Sequence, residues 1–416
     1  MITRERGIAW TAGAALMGTA WLIDPFAQAG FDAPKRLVAL LAAAIGAALL
    51  AWPMTAPPWH AWSPRARAIA GCAALAVCGF VVATVLSPQP AVAWDALRTI
   101  ALFALFVPLG AARALDVHGA VVTRAAIAAV GVNVALSLVQ AAGIALPIPL
   151  AQLGGRFPTG ALLGNEAYVA IAAAMLAAGS LAVALSATTS HTRAMAVALI
   201  ALAVAAIAVN RQITASIALA AAAAAVLAAH WRLRGVVTAG AVIAFIVVAT
   251  AAIPMLRAVT WAHAPLTVDR VQNATTYRLG AWAAADEMIA ARPWTGFGPG
   301  TFATQAQPFR LAAELRVQER LIPPPPSSAF VYAHQDYLQL AAEAGVPVLA
   351  AVLAALALLV GGLLRLASTE ARVLLGMLAA GAVAALAWFP MQIPFVAVLL
   401  LLACGRAWRL VAQVRP

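Results

Sequence analysis

AMAVALIALAVAAIAVNRQITASIALAAAAAAVLAA, residues 194–229, is interrupted only by Asn210-Arg211-Gln212. As one helix these 36 residues would run about 54 Å, far beyond a bilayer core of about 30 Å. An arginine at its midpoint would also cost at least roughly 2.5 kcal/mol. Two spans joined by a tight hairpin, with Arg211 at the tip, satisfy both constraints. The same reading extends along the chain. Of 416 residues, 64% are hydrophobic and 10% charged, against about 25% charged in a soluble domain. With a mean hydropathy of +0.94, a water-soluble enzyme, a disordered chain and a fibrous protein are excluded. The apolar runs are continuous rather than alternating, which excludes a transmembrane β-barrel.

Apolar runs of about 17–25 residues bounded by charge or proline predict spans near 7–23, 36–52, 67–86, 96–112, 121–143, 163–185, 194–209, 212–229, 236–254, 340–364, 372–389 and 393–410. The expected fold class is therefore an all-α polytopic membrane protein of about 12 transmembrane helices. It divides into residues 1–255 (spans 1–9), a loop of about 80 residues at 256–335, and residues 336–416 (spans 10–12). Arg4 and Arg6, an apolar run and Ala27-Gln28-Ala29 resemble a cleavable signal peptide. The run is long for that role, and a retained first span is expected.

With a cytoplasmic N-terminus, fourteen arginines fall inside, from Arg4, Arg6, Arg65 and Arg67 through Arg406, Arg409 and Arg415. The short outer connections and span ends carry five basic residues: Lys35, Arg36, Arg98, Arg156 and Arg211. This bias places both termini in the cytoplasm. Acidic residues show the reverse bias, three inside and eleven outside, so chemistry is expected on the outer, periplasmic face. The net charge of +12 is scattered without a basic cluster, and no nucleic-acid partner is expected. Cys72, Cys78 and Cys404 lie in apolar runs without CxxC spacing, as packing residues would.

The loop at 256–335 holds most of the polar variety. Val271, Tyr277, Arg278, Trp282, Ala285, Met288 and Ile289 recur at helical spacing and predict an amphipathic helix ended by Arg292-Pro293. Gly296, Gly298 and Gly300 mimic a dinucleotide fingerprint, but no strand precedes them and Pro299 interrupts them; a helix-ending turn is the expectation. Pro323 to Pro326 form a stiff stretch before Tyr332-Ala333-His334-Gln335-Asp336-Tyr337.

His334, at the outer membrane boundary, is the first candidate for chemistry. Its imidazole can accept a proton near neutral pH, and Asp336 or a nearby carbonyl could fix its tautomer; a structural boundary histidine is the competing reading. Arg211, Arg278 and Arg156 are all expected on the outer side, where guanidinium groups suit bidentate phosphate binding. Anchoring by phospholipid headgroups is the alternative for each. No acidic pair or His/Cys/Asp ligand spacing implies a metal, and no cofactor is expected. Asp24, Asp32, Lys35 and Arg36 decorate the first outer loop, shaping a substrate entrance or pairing with one another.

His334-Gln335, nine residues and then Gly345 resemble the pattern of the lipopolysaccharide O-antigen ligases, within the wider group of O-antigen ligase and polymerase membrane proteins. Tyr277-Arg278-x-x-x-Trp282, followed by Arg292-Pro293-Trp294-Thr295-Gly296-Phe297-Gly298, is similar to that family's loop helix and its end. Residues 160–165, with Gly164-Asn165, resemble its Gly-Asn segment, and Asn210-Arg211 its arginine-bearing hairpin. The resemblance covers essentially the whole chain. It implies a GT-C-like fold with one large periplasmic loop, and a multi-pass glycosyltransferase of the Gram-negative inner membrane. The donor would be O-antigen polysaccharide on undecaprenyl pyrophosphate, and the acceptor a lipid A–core sugar, without metal or nucleotide. In that expectation His334 is the general base, and Arg211 and Arg278 hold the pyrophosphate in an inverting displacement. Arg156, Lys35, Arg36, Gln335, Tyr277, Trp282 and Asn165 are substrate contacts. The loop helix would cover the leaflet, among membrane lipids. An O-antigen polymerase or a protein O-oligosaccharyltransferase would use the same donor. A transporter or flippase of lipid-linked glycan is the alternative of another class; it predicts midplane ionisable residues and inverted repeats, and neither is visible in the sequence.

Overall fold

The computed structural model describes residues 3–24, 30–51, 62–144, 159–231, 278–318, 320–321 and 330–413. Every regular element among the described residues is helical. The first are α1 (Arg4–Trp21), α2 (Ala33–Ala51), α3 (Pro64–Val85), α4 (Pro90–Ala104), α5 (Phe106–Gly110) and α6 (Ala114–Ala141). A 3-10 turn at Ala161–Leu163 leads to α7 (Glu166–Ser186), α8 (Ser190–Val209) and α9 (Ile213–His230). After the large loop's α10 (Leu279–Ala291) and α11 (Phe302–Val317) come α12 (Asp336–Ala344), α13 (Val346–Leu363), α14 (Thr369–Ala384) and α15 (Pro394–Gln413). Among the described residues, nine helical segments, taking α4 and α5 as one, are long and apolar enough to cross a membrane. The chain is a polytopic α-helical membrane protein. The expected span at 236–254 lies outside the described residues.

The hairpin expected in residues 194–229 is present. α8 stops at Val209, Arg211 takes a left-handed φ of 51°, and α9 begins at Ile213. Three other expectations shift. The fourth span starts at Pro90, where proline suits a first helical position, and is interrupted at Leu105. The tenth, expected as continuous from 340, is split at Gly345 (φ 89°, ψ 159°), so that α12 and α13 are separate helices. The eleventh ends at Ala384, leaving Trp388 and Phe389 in a turn.

Side-chain capping explains several starts: Ser63 bonds the Ala66 N–H, Asn165 that of Ala167, Thr189 that of Thr192 and Ser368 that of Ala371. Small residues let the helices approach closely, as is usual when lipid outside is as apolar as the interface. α7 and α15 form the centre, with 67% and 61% of their apolar windows buried, against 33% or less for the other seven segments. α5 and α15 approach closely. A Cβ on Gly405 would collide with the Val107 carbonyl, and one on Gly110 with that of Leu402.

The bundle has two chemically different ends. At one, Arg406 bridges Asp116 (2.5 Å) and Glu370 (2.6 Å), Arg409 reaches Asp116 (2.5 Å), and Arg372 donates to Ser186 (3.0 Å). Arg4 donates there to the Leu49 and Leu50 carbonyls. At the other lie the α8–α9 turn, the start of α2 and the segment before α12. Replacing Gly405 with leucine should therefore separate α5 from α15. The expected result is a loss of about 1–3 kcal/mol or more, seen as a lower unfolding temperature of the detergent-purified protein, while Gly71→Leu, with nothing within 4 Å of its Cβ, should leave it near the native value.

Candidate functional site

The segment carrying His334 is fixed on both sides. Gln335 caps α12 by accepting the Leu338 N–H (2.8 Å), and His334 is held at φ 55°, a left-handed conformation uncommon outside glycine. At the other end of α12, the Gly296–Gly300 turn closes over the Gly345 break. Phe297 and Gly298 donate main-chain N–H groups to the carbonyls of Ala342 (3.0 Å) and Glu343 (2.8 Å), and Val346 donates to Pro293 (2.8 Å). A side chain at Gly296 would strike the Glu343 carbonyl, and one at Gly345 the Trp294 carbonyl. The Glu343 carboxylate is buried in this junction and accepts from Gly300 and Phe302 (both 3.0 Å) and from Gln339 (3.3 Å). The glycines expected to end a helix thus also seat the loop on the bundle.

Above that junction, His334 packs edge-on against Phe389 (4.8 Å) and Trp388 (5.8 Å), which stack on each other at 4.8 Å. Arg278, the N-cap of α10, lies over the Trp388 ring at 4.1 Å and donates to the Ala387 carbonyl at 2.7 Å. Tyr332 stacks on Phe389 at 5.0 Å, and Tyr168 of α7 meets the same ring at 6.2 Å. Arg36 of α2 lies beside the group, donating to Asp32 (2.5 Å) and the Gln392 carbonyl (3.2 Å). One imidazole and one guanidinium group, His334 and Arg278, therefore meet on the Trp388–Phe389 platform, while Arg36, from the far N-terminal part of the chain, reaches the same turn at the Gln392 carbonyl. Arginine over an aromatic face is held by cation–π attraction of about 0.5–2 kcal/mol while its planar charge is kept.

Other expected residues have different settings. Arg211 is exposed at the α8–α9 turn, on the same end of the bundle, where the neighbouring Asn210 bonds Ser137 of α6 (2.9 Å). Lys35 is only 3% exposed and donates to the Leu22 (3.0 Å) and Leu162 (2.8 Å) carbonyls; it staples the first connection to the 3-10 turn rather than facing an open cleft. Asn165 caps α7, after a Gly164 whose φ of 80° and contact with the Phe31 ring exclude a side chain. Trp282 is half-buried on α10, and its buried indole N–H finds no acceptor among the described residues. Asp336, expected to orient His334, accepts instead from the Met391 N–H (2.8 Å). Arg156 and Tyr277 lie outside the described residues.

α10, expected as an amphipathic cover on the leaflet, buries Leu279, Ala281, Ala283, Ala284, Ala285 and Met288. It packs with Phe297, Phe302, Ala333 and Ala342 in a small core of its own. Among the described residues no group of three His, Cys, Asp or Glu could hold a metal ion.

Several contacts around the candidate site are not marked in the sequence. Trp388 and Phe389 fall at the end of the expected 372–389 span, and the Trp388-Phe389-Pro390 string is the available signal. Asn133 and Gln140, polar residues within an apolar run, were also passed over. Asn133 accepts from Leu162 and Leu163 (both 3.0 Å) and Gln140 from Ala161 (2.9 Å), which fixes the 3-10 turn on α6.

Burial pushes the Glu343 carboxyl up from 4.5 to about 7, and that of Asp336 up from 3.8 to about 7. Between the ordinary carboxyl values and about 7, the folded protein keeps protons that the unfolded chain has released. Stability therefore falls as pH rises through that window. The Glu343 contribution is on the order of 3 kcal/mol. The unfolding temperature should drop between pH 5 and pH 8, and Glu343→Gln should flatten the drop, Asp336 retaining the remainder. An unchanged slope in that variant would exclude Glu343 as the titrating group. No protein-family model matches the chain, and no curated protein matches it either.

Proposed function

We propose that the chain is a metal-independent glycosyltransferase of the Gram-negative inner membrane. In this reading it moves O-antigen polysaccharide from undecaprenyl pyrophosphate to a sugar hydroxyl of lipid A–core. The observation that carries the reading is the meeting of His334 and Arg278 on the Trp388–Phe389 platform, with Arg36 bonded to the neighbouring Gln392 carbonyl, at the end of the bundle opposite the Arg406 ion-pair network. The residue patterns around His334, Arg278 and Asn210-Arg211 support it as well. With the arginine-rich end cytoplasmic, as the positive-inside bias reads, the His334 end faces the periplasm, where both lipid-linked substrates present their headgroups.

In this mechanism His334 takes the proton from the acceptor hydroxyl as its oxygen attacks the anomeric carbon. The bond to the pyrophosphate oxygen breaks on the opposite face, so configuration inverts. Arg278, oriented by the Trp388 face and the Ala387 carbonyl, stabilises the charge that grows on the departing pyrophosphate, with Arg211 assisting from the hairpin. Arg36, already beside Asp32, keeps the site's first wall in place. The aromatic faces of Tyr332 and Phe389 suit the apolar side of a sugar ring.

The reading is tested with purified protein in nanodiscs, lipid-linked O-antigen and lipid A–core, with chelator present and no nucleotide. Ligated lipopolysaccharide should form, and His334→Ala should slow it by roughly 10²–10⁴-fold. Arg278→Ala should cost about 10²–10³-fold. Trp388→Leu should cost roughly 3–30-fold through Arg278's loss of its cation–π seat. Full turnover by His334→Ala would remove the general base from the scheme, and product appearing only with added divalent metal would remove the metal-independent mechanism.

A further inference from the structure

The opposite end of the bundle holds a second feature, which is independent of the reading above. Between the start of α3, the end of α13 and the end of α15 lies a cleft of about 300 Å³. Its polar lining is two arginines, Arg65 and Arg365, and the α3 cap Ser63, with Gly362, Leu366 and Val411 as apolar wall. Every neighbouring arginine of the Arg406 network is matched: Arg406 and Arg409 by Asp116 and Glu370, Arg372 by Ser186 and the Ala367 carbonyl. Among the described residues, Arg65 and Arg365, by contrast, make no side-chain hydrogen bond or ion pair, and none of those lining the cleft is acidic.

Two like charges held at one cleft repel each other, and the cost falls when an anion sits between them. The fold adds to the attraction. The α3 N-terminus, with Pro64 in its first turn, points the positive end of the helix dipole into the same space. Gly362 keeps the wall low, because a Cβ there would come within 3.3 Å of the Arg65 stem. Ser63 is engaged in capping α3, through the Ala66 N–H at 3.2 Å, so the arginine forks are the available donors. Further along α3, Val77 and Val81, four residues apart on one helix face, are exposed apolar side chains that can lie beside an acyl chain.

We propose that the Arg65–Arg365 cleft is a binding site for a phosphate-bearing anion, with the phosphodiester headgroup of an anionic phospholipid as its occupant. Guanidinium forks match phosphate oxygens bidentately, and basic recesses between helices at a membrane surface favour such headgroups.

The test uses the full chain in detergent, titrated separately with phosphatidylglycerol, phosphatidylcholine and inorganic phosphate. Saturable binding of phosphatidylglycerol is expected, with phosphatidylcholine weaker. Arg65→Gln with Arg365→Gln should weaken it about thirtyfold. Arg6→Gln with Arg113→Gln, exposed residues removing the same charge from the same end, should leave it unchanged. Competition by inorganic phosphate at millimolar level would support the same anion site with free phosphate as a second source. Equal binding by both double variants, or no preference for phosphatidylglycerol together with no phosphate binding, would overturn the proposal. Should the arginine variant fail to fold, native protein is treated with phenylglyoxal: phosphatidylglycerol must shield Arg65 and Arg365 from modification, and absence of shielding overturns the site equally.

Discussion

The Glu343 carboxylate is the point on which the large loop and the helix bundle meet. It is buried, it accepts the main-chain N–H groups of Gly300 and Phe302, and it lies two residues before the break that separates α12 from α13. Without acceptors there, two amide N–H groups of a buried turn would be left unsatisfied, each at a cost of about 1–3 kcal/mol. The turn itself can approach only because Gly296, Gly298 and Gly300 carry no side chains and adopt positive φ. His334 is set by this same unit, since α12 is only nine residues long and begins two residues after it. A shift of the loop on the bundle would therefore move the imidazole relative to Trp388 and Arg278.

Around this joint the molecule separates its charges by role. At the Arg406 end, Arg406 and Arg409 are neutralised by Asp116 and Glu370 in a network that anchors helix ends, and the Arg65–Arg365 cleft lies outside it. At the His334 end, arginines are held by aromatic faces and carbonyl oxygens, which orient a guanidinium while leaving its charge in place. Neutralisation gives an anchor; orientation without neutralisation gives a candidate site for an anionic substrate. Arg36 is intermediate: its bond to Asp32 ties down one edge while the other reaches the α14–α15 turn.

Much of the architecture was legible because bilayer thickness fixes helix length. Residues 194–229 could only be a hairpin, and it forms at Asn210-Arg211-Gln212. Breaks inside apolar runs were not legible: Gly345 sits among residues as apolar as those of a continuous span, and only its contact with the loop turn explains the interruption. In the site, residue type and boundary position single out His334, Arg278 and Arg36; the first two share the platform, and Arg36 holds the turn beside it at Gln392. Lys35 and Asn165 were drawn by the same reasoning, but their partners are backbone groups, which no side-chain pattern records. Trp388 was invisible for another reason: an aromatic at a span end is the ordinary signature of a membrane interface.

The platform also bears on biogenesis. Its parts come from α2, α7, the residue before α10, the approach to α12 and the turn before α15, so they are scattered from Arg36 to Phe389. Among the described residues, eight of the nine membrane-length segments precede the stacked indole and phenyl rings in a nascent chain threading into the bilayer. Until they arrive, the imidazole and the guanidinium groups have no common surface, and a polypeptide interrupted ahead of that turn would be a membrane-embedded but chemically unassembled intermediate.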